Sequence, residues 1–256
     1  MRVQPFTVGS YVHVYNRGHR KSEIVLDEKD KWRFMQGLRF FNDVNLSQNI
    51  LRDILKDQDK DKDSKSLLVS DTNRLFESVF ELGWPKNWPE KKPLVKILCY
   101  CLVPNHFHLL LEEIVEGGIS KFMQKLGIGF TNYFNLIHRE EGRLFQGSYK
   151  GKTVGDDQIY LEYLSVYIQV INVLELFPGG FKKALEDIDK ALEFVEQYQF
   201  SSYQDFIGLR ESLIIDKDIL GEIFLTPEHY KKFVRDILMA RTVRKYEEVL
   251  EYLVIE

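Results

Sequence analysis

LVKILCYCLV (Leu94–Val103) and HFHLLLEE (His106–Glu113) flank the dipeptide Pro104-Asn105, and the reading of these twenty residues decides the fold. Two apolar runs separated by a turn dipeptide read as an antiparallel hairpin. The second run carries an anomaly. Side chains alternate faces along a strand, so His106 and His108 point the same way, about 7 Å apart. The chain has only six histidines in 256 residues. Two imidazoles on one rigid strand suit a single metal ion, each presenting a neutral nitrogen. The competing reading of any His-x-His pair is a pair of hydrogen-bonded histidines on a half-exposed sheet face.

Before the hairpin, YVHVYNRG (Tyr11–Gly18) has the β-branched and aromatic content of a strand. A helix follows it, with Asp27 as N-cap and Trp32, Met35, Leu38 and Phe41 along one face. A charged insertion of about residues 50–92 comes next. It contains KDQDKDKDSKS (Lys56–Ser66), which reads as a solvated loop, room for a short helix around Asn73–Leu82, and the proline-broken GWPKNWPEKKP. After the hairpin, Ile119–His138 has apolar residues at helical spacing, and Arg143–Val154 reads as a strand bent at Gly147. Asp156-Asp157 then open a helix that Pro178-Gly179-Gly180 ends. The order βαββαβ is that of a ferredoxin-like α+β sandwich, with helices on one face of an antiparallel sheet. The periodicity past Gly180 is helical. We therefore expect one domain over residues 1–180 and a helical C-terminal extension over 181–256.

Composition sets limits. Hydrophobic residues make up 44% and charged residues 29% of the chain, ordinary values for a globular protein. No apolar run reaches the roughly 18 residues of a membrane helix, and MRVQPFTVGS lacks the apolar core of a signal peptide, so cytoplasmic residence without a membrane partner is expected. The net charge of −4 argues against a protein that coats DNA indiscriminately. It is, however, unevenly spread. Met1–Arg39 holds eight basic and four acidic residues, Gly118–Thr153 six and two, and the chain after Gly180 eleven and sixteen. That distribution permits a local anionic ligand. Cys99 and Cys101, one residue apart on a strand, are poorly placed for a disulfide and fit small buried thiols. If the hairpin turn spans Val103–Asn105, they face His108 and His106, and the four would be a set that zinc accepts.

The phrase YCLVPNHFHLLLEE, together with HVYNRGHRKSEI, FMQKLGIGFTNYFN, GRLFQGSYKGKTV and YLEYLSVYIQVIN in that order, resembles the single-tyrosine HUH transposases, in particular the REP-associated tyrosine transposase branch. The resemblance spans roughly Tyr11–Phe177. It implies a metal-dependent single-stranded DNA endonuclease and strand transferase that acts on hairpin-bearing, REP-like DNA through a covalent 5′-phosphotyrosine. It also implies a divalent cation, Mg²⁺ or Mn²⁺, on His106 and His108, and the possibility of a homodimer. The alternative is a domesticated hairpin-binding protein of the same fold that cleaves weakly or not at all.

On that resemblance Tyr167, in SVYIQ, is the nucleophile, while Tyr160 and Tyr163 on the same helix read as core. The family pattern Tyr-Ile-x-x-Asn-Pro puts an amide ligand four residues after the tyrosine. Here that position is Ile171, and Asn172 arrives one residue late, rotated about 100° on an ideal helix. A local bulge would bring Asn172 back as third metal ligand; Gln169 is the other amide within range. For the DNA surface the candidates are Arg17, His19, Arg20 and Lys21 after the first strand, and Arg143, Gln146, Tyr149, Lys150 and Lys152 towards the fourth. Phe145 reads as core, and Glu112 and Glu113 as solvent-facing.

Overall fold

The computed structural model describes residues 6–47, 89–155 and 157–240. The solvated loop over Lys56–Ser66 and the short helix around Asn73–Leu82 lie outside the described residues.

Strand β1 (Tyr11–Arg17), helix α1 (Glu28–Phe40), strands β2 (Val95–Val103) and β3 (His106–Glu113), helix α2 (Gly118–His138) and strand β4 (Lys150–Val154) follow one another in the expected order. The sheet runs β2-β3-β1-β4 and every pairing is antiparallel, the ferredoxin-like arrangement. The hairpin turn is the two-residue Pro104-Asn105, with Val103 opposite His106 and Cys101 opposite His108.

One face of the sheet buries Val12 and Val14 of β1 and Phe107, Leu109 and Leu111 of β3 against α1 and α2, in a core that includes Phe34, Met35, Phe122 and Phe130. In α2 the buried residues keep the predicted helical spacing, whereas α1 is buried without a break from Phe34 to Phe40 and only half-buried at Trp32. Asp27 caps α1 by accepting from the Asp30 amide. Glu113 is not solvent-facing as expected. It is buried, and its carboxylate accepts from the amides of Gly117 and Ile119 at the start of α2, a sink for amides that have no helical partner.

The second face is also covered, which explains why β2 is apolar almost throughout. A bulge between Ile97 and Cys99 breaks the alternation of β2. Val95 and Ile97 join the α1/α2 core, whereas Leu98, Cys99, Cys101 and Val103 join a second one. That second core is built by α3 (Gln158–Val166), a π-helical turn (Tyr167–Ile171) and α4 (Asn172–Leu174), then α5 (Gly180–Ala184), α6 (Ile188–Gln197), α7 (Tyr203–Phe206), α8 (Asp218–Ile223) and α9 (Pro227–Met239). The helices past Gly180 are thus knitted to the sheet. The Leu102 amide donates to Phe200 O, the Ser202 amide to Tyr100 O and the Asp216 amide to Ile97 O, so the free edge of β2 is occupied by this segment. Half-buried Arg210, paired with Asp205, also reaches Tyr100 Oη and Ser201 O.

The fourth strand is shorter than Arg143–Val154. Residues 143–149 form a strap that leaves the ladder and touches β1 at one bridge, Gly18 to Phe145. Its polar groups bond to the end of β1 instead: the Gln146 amide donates to Arg17 O, Arg17 Nε to Gln146 Oε1 and Asn16 Nδ2 to Gly147 O. Among the described residues no helix is long and apolar enough to cross a membrane.

Candidate active site

Because β1 and β3 pair in the register Tyr15 to His108 and His13 to Leu110, the second face of the sheet carries His106, His108, His13 and Tyr15 side by side. His13 and His108 stack with ring centroids 5.1 Å apart, and Tyr15 stacks on His108 at 5.5 Å. Tyr167, brought by the helix after β4, stands edge-on over this patch. Its ring centroid is 5.4 Å from that of His108 and 6.1 Å from that of His13. Sixty residues of chain separate the tyrosine from the histidines; packing of α3 on the sheet closes the distance.

The π-turn sets the third group. Within Tyr167–Ile171 the backbone bonds run to the fifth residue, and the Asn172 amide donates to Tyr167 O. One extra residue in the turn moves Asn172 to the place an ideal α-helix gives to the fourth residue. Asn172 Nδ2 donates to Tyr167 O at 2.7 Å, which fixes the amide so that Oδ1 lies 3.2 Å from His106 Nε2. His106 Nδ1 is 2.7 Å from Asn105 Oδ1. With the His106 proton assigned to Nδ1, where Asn105 accepts it, Nε2 and Asn172 Oδ1 are two lone pairs facing one opening. A separation of 3.2 Å matches two adjacent ligands of an octahedral ion, which at about 2.1 Å from the metal are about 3 Å apart.

His108 is oriented by a residue that sequence reading did not single out. His13 Nε2 lies 2.8 Å from His108 Nδ1, and His13 Nδ1 has no hydrogen-bond partner. When His108 Nδ1 donates in this pair, its Nε2 lone pair is left for a cation. All three rings are held neutral. Burial, then the positive charge of Lys152, lowers His13 to about 3; burial, then His13 and His106, lowers His108 well below the ordinary value; burial lowers His106 against the opposing pull of the Asn172 carbonyl oxygen, with Arg17 adding to the lowering. Neutral imidazole is the form that binds a metal. Among the described residues no three His, Cys, Asp or Glu side chains are placed to hold one metal ion together, so an amide oxygen has to complete any three-ligand set. His106, His108 and Asn172 fit a hard divalent cation on that count.

Tyr167 is 7% exposed, and burial, followed by the nearby Glu175 and Tyr15, raises its phenol above the ordinary value. It is a protonated phenol at neutral pH.

These groups line a cleft of about 550 Å³ together with Arg17, Lys21, Gln146, Lys150 and Glu175. Four of the nine expected DNA contacts therefore sit at the site. His19 and Arg20 stand in the turn that carries Lys21 but do not line the cleft. Gly18 permits that turn, since a Cβ there would meet Ser22 O at 1.9 Å. Lys152 is beside His13 on β4, and Arg143 and Tyr149 line a neighbouring cavity. Gln169 is not brought to the histidines: it is buried, donates to Tyr230 Oη and accepts from Ser202 Oγ, tying the π-turn to the C-terminal helices. The zinc arrangement is not assembled either, because the two-residue turn puts Cys99 opposite Leu110 and leaves only Cys101 opposite a histidine. Both thiols are fully buried, and burial keeps them protonated.

A family described as "Transposase IS200 like" matches residues 89–170. That segment runs from the approach to β2 through both histidines and Tyr167, and stops before Asn172. Residues 89–170 are thus similar to the IS200-like transposases, in agreement with the resemblance read from the phrases of the chain. Among solved structures, one titled as a REP-associated tyrosine transposase bound to a REP hairpin is similar, with 10% identity, 86% of this chain and 98% of that chain covered, and a TM-score of 0.39. No curated protein matches.

Proposed function

We propose that the protein is a metal-dependent endonuclease and strand transferase for single-stranded, hairpin-bearing DNA, with Tyr167 as nucleophile. The observation that carries this reading is the meeting of Tyr167, His106, His108 and the Asn172 amide in one cleft rimmed by Arg17, Lys21 and Lys150. His106, His108 and Asn172 would hold Mg²⁺ or Mn²⁺, which when bound withdraws charge from a phosphate. Arg17, Lys21 and Lys150 neutralise the phosphates that flank the scissile one and fix the strand's direction. Tyr167 Oη then attacks phosphorus. A phenolic O–P bond forms, the bond to the 3′ oxygen breaks, the phenol proton is released to solvent, and the departing 3′ oxygen takes one up. The DNA 5′ end stays on the enzyme as a phosphotyrosine ester, so the bond energy is conserved for rejoining. Because burial holds the Tyr167 proton on, attack depends on the positive surroundings that the cleft gathers.

The reading as a binding protein without cleavage drew on the absence of an amide four residues after Tyr167. With Asn172 beside His106, that support falls away. The test is incubation of the protein with a single-stranded hairpin oligonucleotide and Mn²⁺. A covalent adduct that survives denaturation, and is absent in Tyr167→Phe although that variant still binds the DNA, is expected. Specific binding with no adduct across a broad set of hairpins would return the binding-protein reading to first place.

A further inference from the structure

Helix α2 contains a glycine that its own protein does not explain. Glycine inside a helix costs about 1 kcal/mol relative to alanine. Two other glycines have a reason to be where they are: a Cβ on Gly37 of α1 would meet Leu126 Cδ1 at 2.8 Å, and one on Gly118 would meet Leu94 O at 2.2 Å. Gly127, in the middle of α2, would meet nothing within 4 Å, and its backbone is ordinary for a helix. What it faces is a cavity of about 560 Å³ between α2 and the 143–149 strap.

This cavity adjoins the catalytic cleft. Asn16, Gly147 and Ser148 line both, so a strand lying in the cleft passes the mouth of the second space. Its lining is largely apolar, with the buried Phe107, Met123, Leu126 and Phe145, and includes Tyr149, whose hydroxyl lies 3.1 Å from Ser120 Oγ. The rim has Gln124 and Asn132, both exposed amides, and Arg143. Flat apolar walls with amides at the edge suit a heterocycle with donors and acceptors on its rim. A guanidinium at the mouth suits the phosphate attached to it. A volume within the 300–1,000 Å³ range of small-ligand sites is ample for a base with its sugar. Arg143 and Tyr149, which do not line the histidine cleft, find a use here.

We propose that the cavity beside Gly127 receives one unpaired nucleobase of the DNA strand whose backbone crosses the histidine–tyrosine cleft. The pocket makes strand selection a matter of base identity close to the cut, and it rests on the DNA-cleaving reading above. Gly127 keeps the space open, the aromatic and aliphatic floor stacks the base, and Gln124 and Asn132 read its edge.

The experiment uses the full chain and a DNA hairpin with a single-stranded flank. The flank is randomised to select the bound sequence, then scanned with one abasic site at a time. For the wild type, an abasic site at one flank position is expected to weaken binding about tenfold or more. Gly127→Leu fills the cavity with a better helix former, so its melting temperature is expected to equal or exceed that of the wild type while it binds the intact flank as weakly as the wild type binds the abasic one. Replacing both amides, Gln124→Ala with Asn132→Ala, changes only exposed residues and is expected to flatten the base preference at the same position. An abasic scan without effect in a wild type that still forms the Tyr167 adduct overturns the pocket alone, as does Gly127→Leu binding the selected flank at full strength; either result would assign the cavity to something other than DNA. A wild type that neither binds flanked hairpins nor forms an adduct overturns the pocket together with the reading it rests on.

Discussion

Asn172 and His13 both act on the cleft through hydrogen bonds to the groups beside them, Asn172 to Tyr167 and His106 and His13 to His108. Asn172 spends its NH₂ on Tyr167 O and therefore shows its oxygen to His106. Asn172→Leu removes that oxygen and keeps the bulk, so Mn²⁺ affinity is expected to fall about tenfold or more, measured by Mn²⁺ titration followed by electron paramagnetic resonance. His13→Leu leaves His108 Nδ1 without a partner and frees the ring to choose the wrong tautomer. A loss of about 10- to 100-fold in Mn²⁺ affinity is expected in the same titration, with the fold intact by circular dichroism. The spacing of His106 and His108 put both rings on one face in the sequence, and the family resemblance singled them out as a metal pair. His13 was not singled out, although HVY is an ordinary strand phrase with a histidine in it, because only the β1–β3 register puts that ring against His108.

The π-turn is an element that exists to change phase. One residue more than an α-helical turn between Tyr167 and the amide restores a geometry that the one-dimensional pattern lacks. Deleting Ile171 would return the spacing to four and let the segment run as plain α-helix, and this variant is expected to bind Mn²⁺ as the wild type does. Inserting an alanine after Ile171 adds a further residue and rotates Asn172 by about 100°, so metal binding is expected to be lost. Equal affinities in the two variants would remove the π-turn from the account. The histidine face of β1 and β3 makes a separate, pH-dependent prediction for the metal-free protein. Folded His13 and His108 stay neutral well below the pKa near 6.5 at which they protonate once unfolded. As pH falls through 6.5 towards about 3, the unfolded state therefore binds more protons and stability drops, by up to about 1.4 kcal/mol per pH unit for each such ring. Urea melts between pH 7 and 4 should show that slope reduced in His13→Leu.

At the scale of the whole molecule, the sheet is a partition with a different core on each side, and the chain after Gly180 supplies much of the second one. Its composition marks it off as acidic and helical, yet Phe200, Ser202 and Asp216 bond to the edge of β2, and α6 to α9 share a core with the tyrosine helix. A fragment ending at Gly180 would expose that edge and strip α5 to α9 from the second core, uncovering the apolar residues of α3, the π-turn and α4 that pack against them. It is expected to aggregate on expression, whereas the full chain remains monodisperse in light scattering. A soluble, cooperatively melting fragment would show instead that the extension is dispensable to the fold. The sequence by itself determined the order of strands and helices, the ferredoxin-like class and the shared face of His106 and His108, because each is written in local periodicity or turn chemistry, and its contiguous phrases carried the resemblance that proposes Tyr167. Only the tertiary structure decided that Asn172 and not Gln169 joins the histidines, that His13 orients His108, that the 143–149 strap leaves the ladder and that a second cavity opens beside Gly127. Each of these depends on register, helical phase or space between elements, and such relations are set by packing partners far away along the chain.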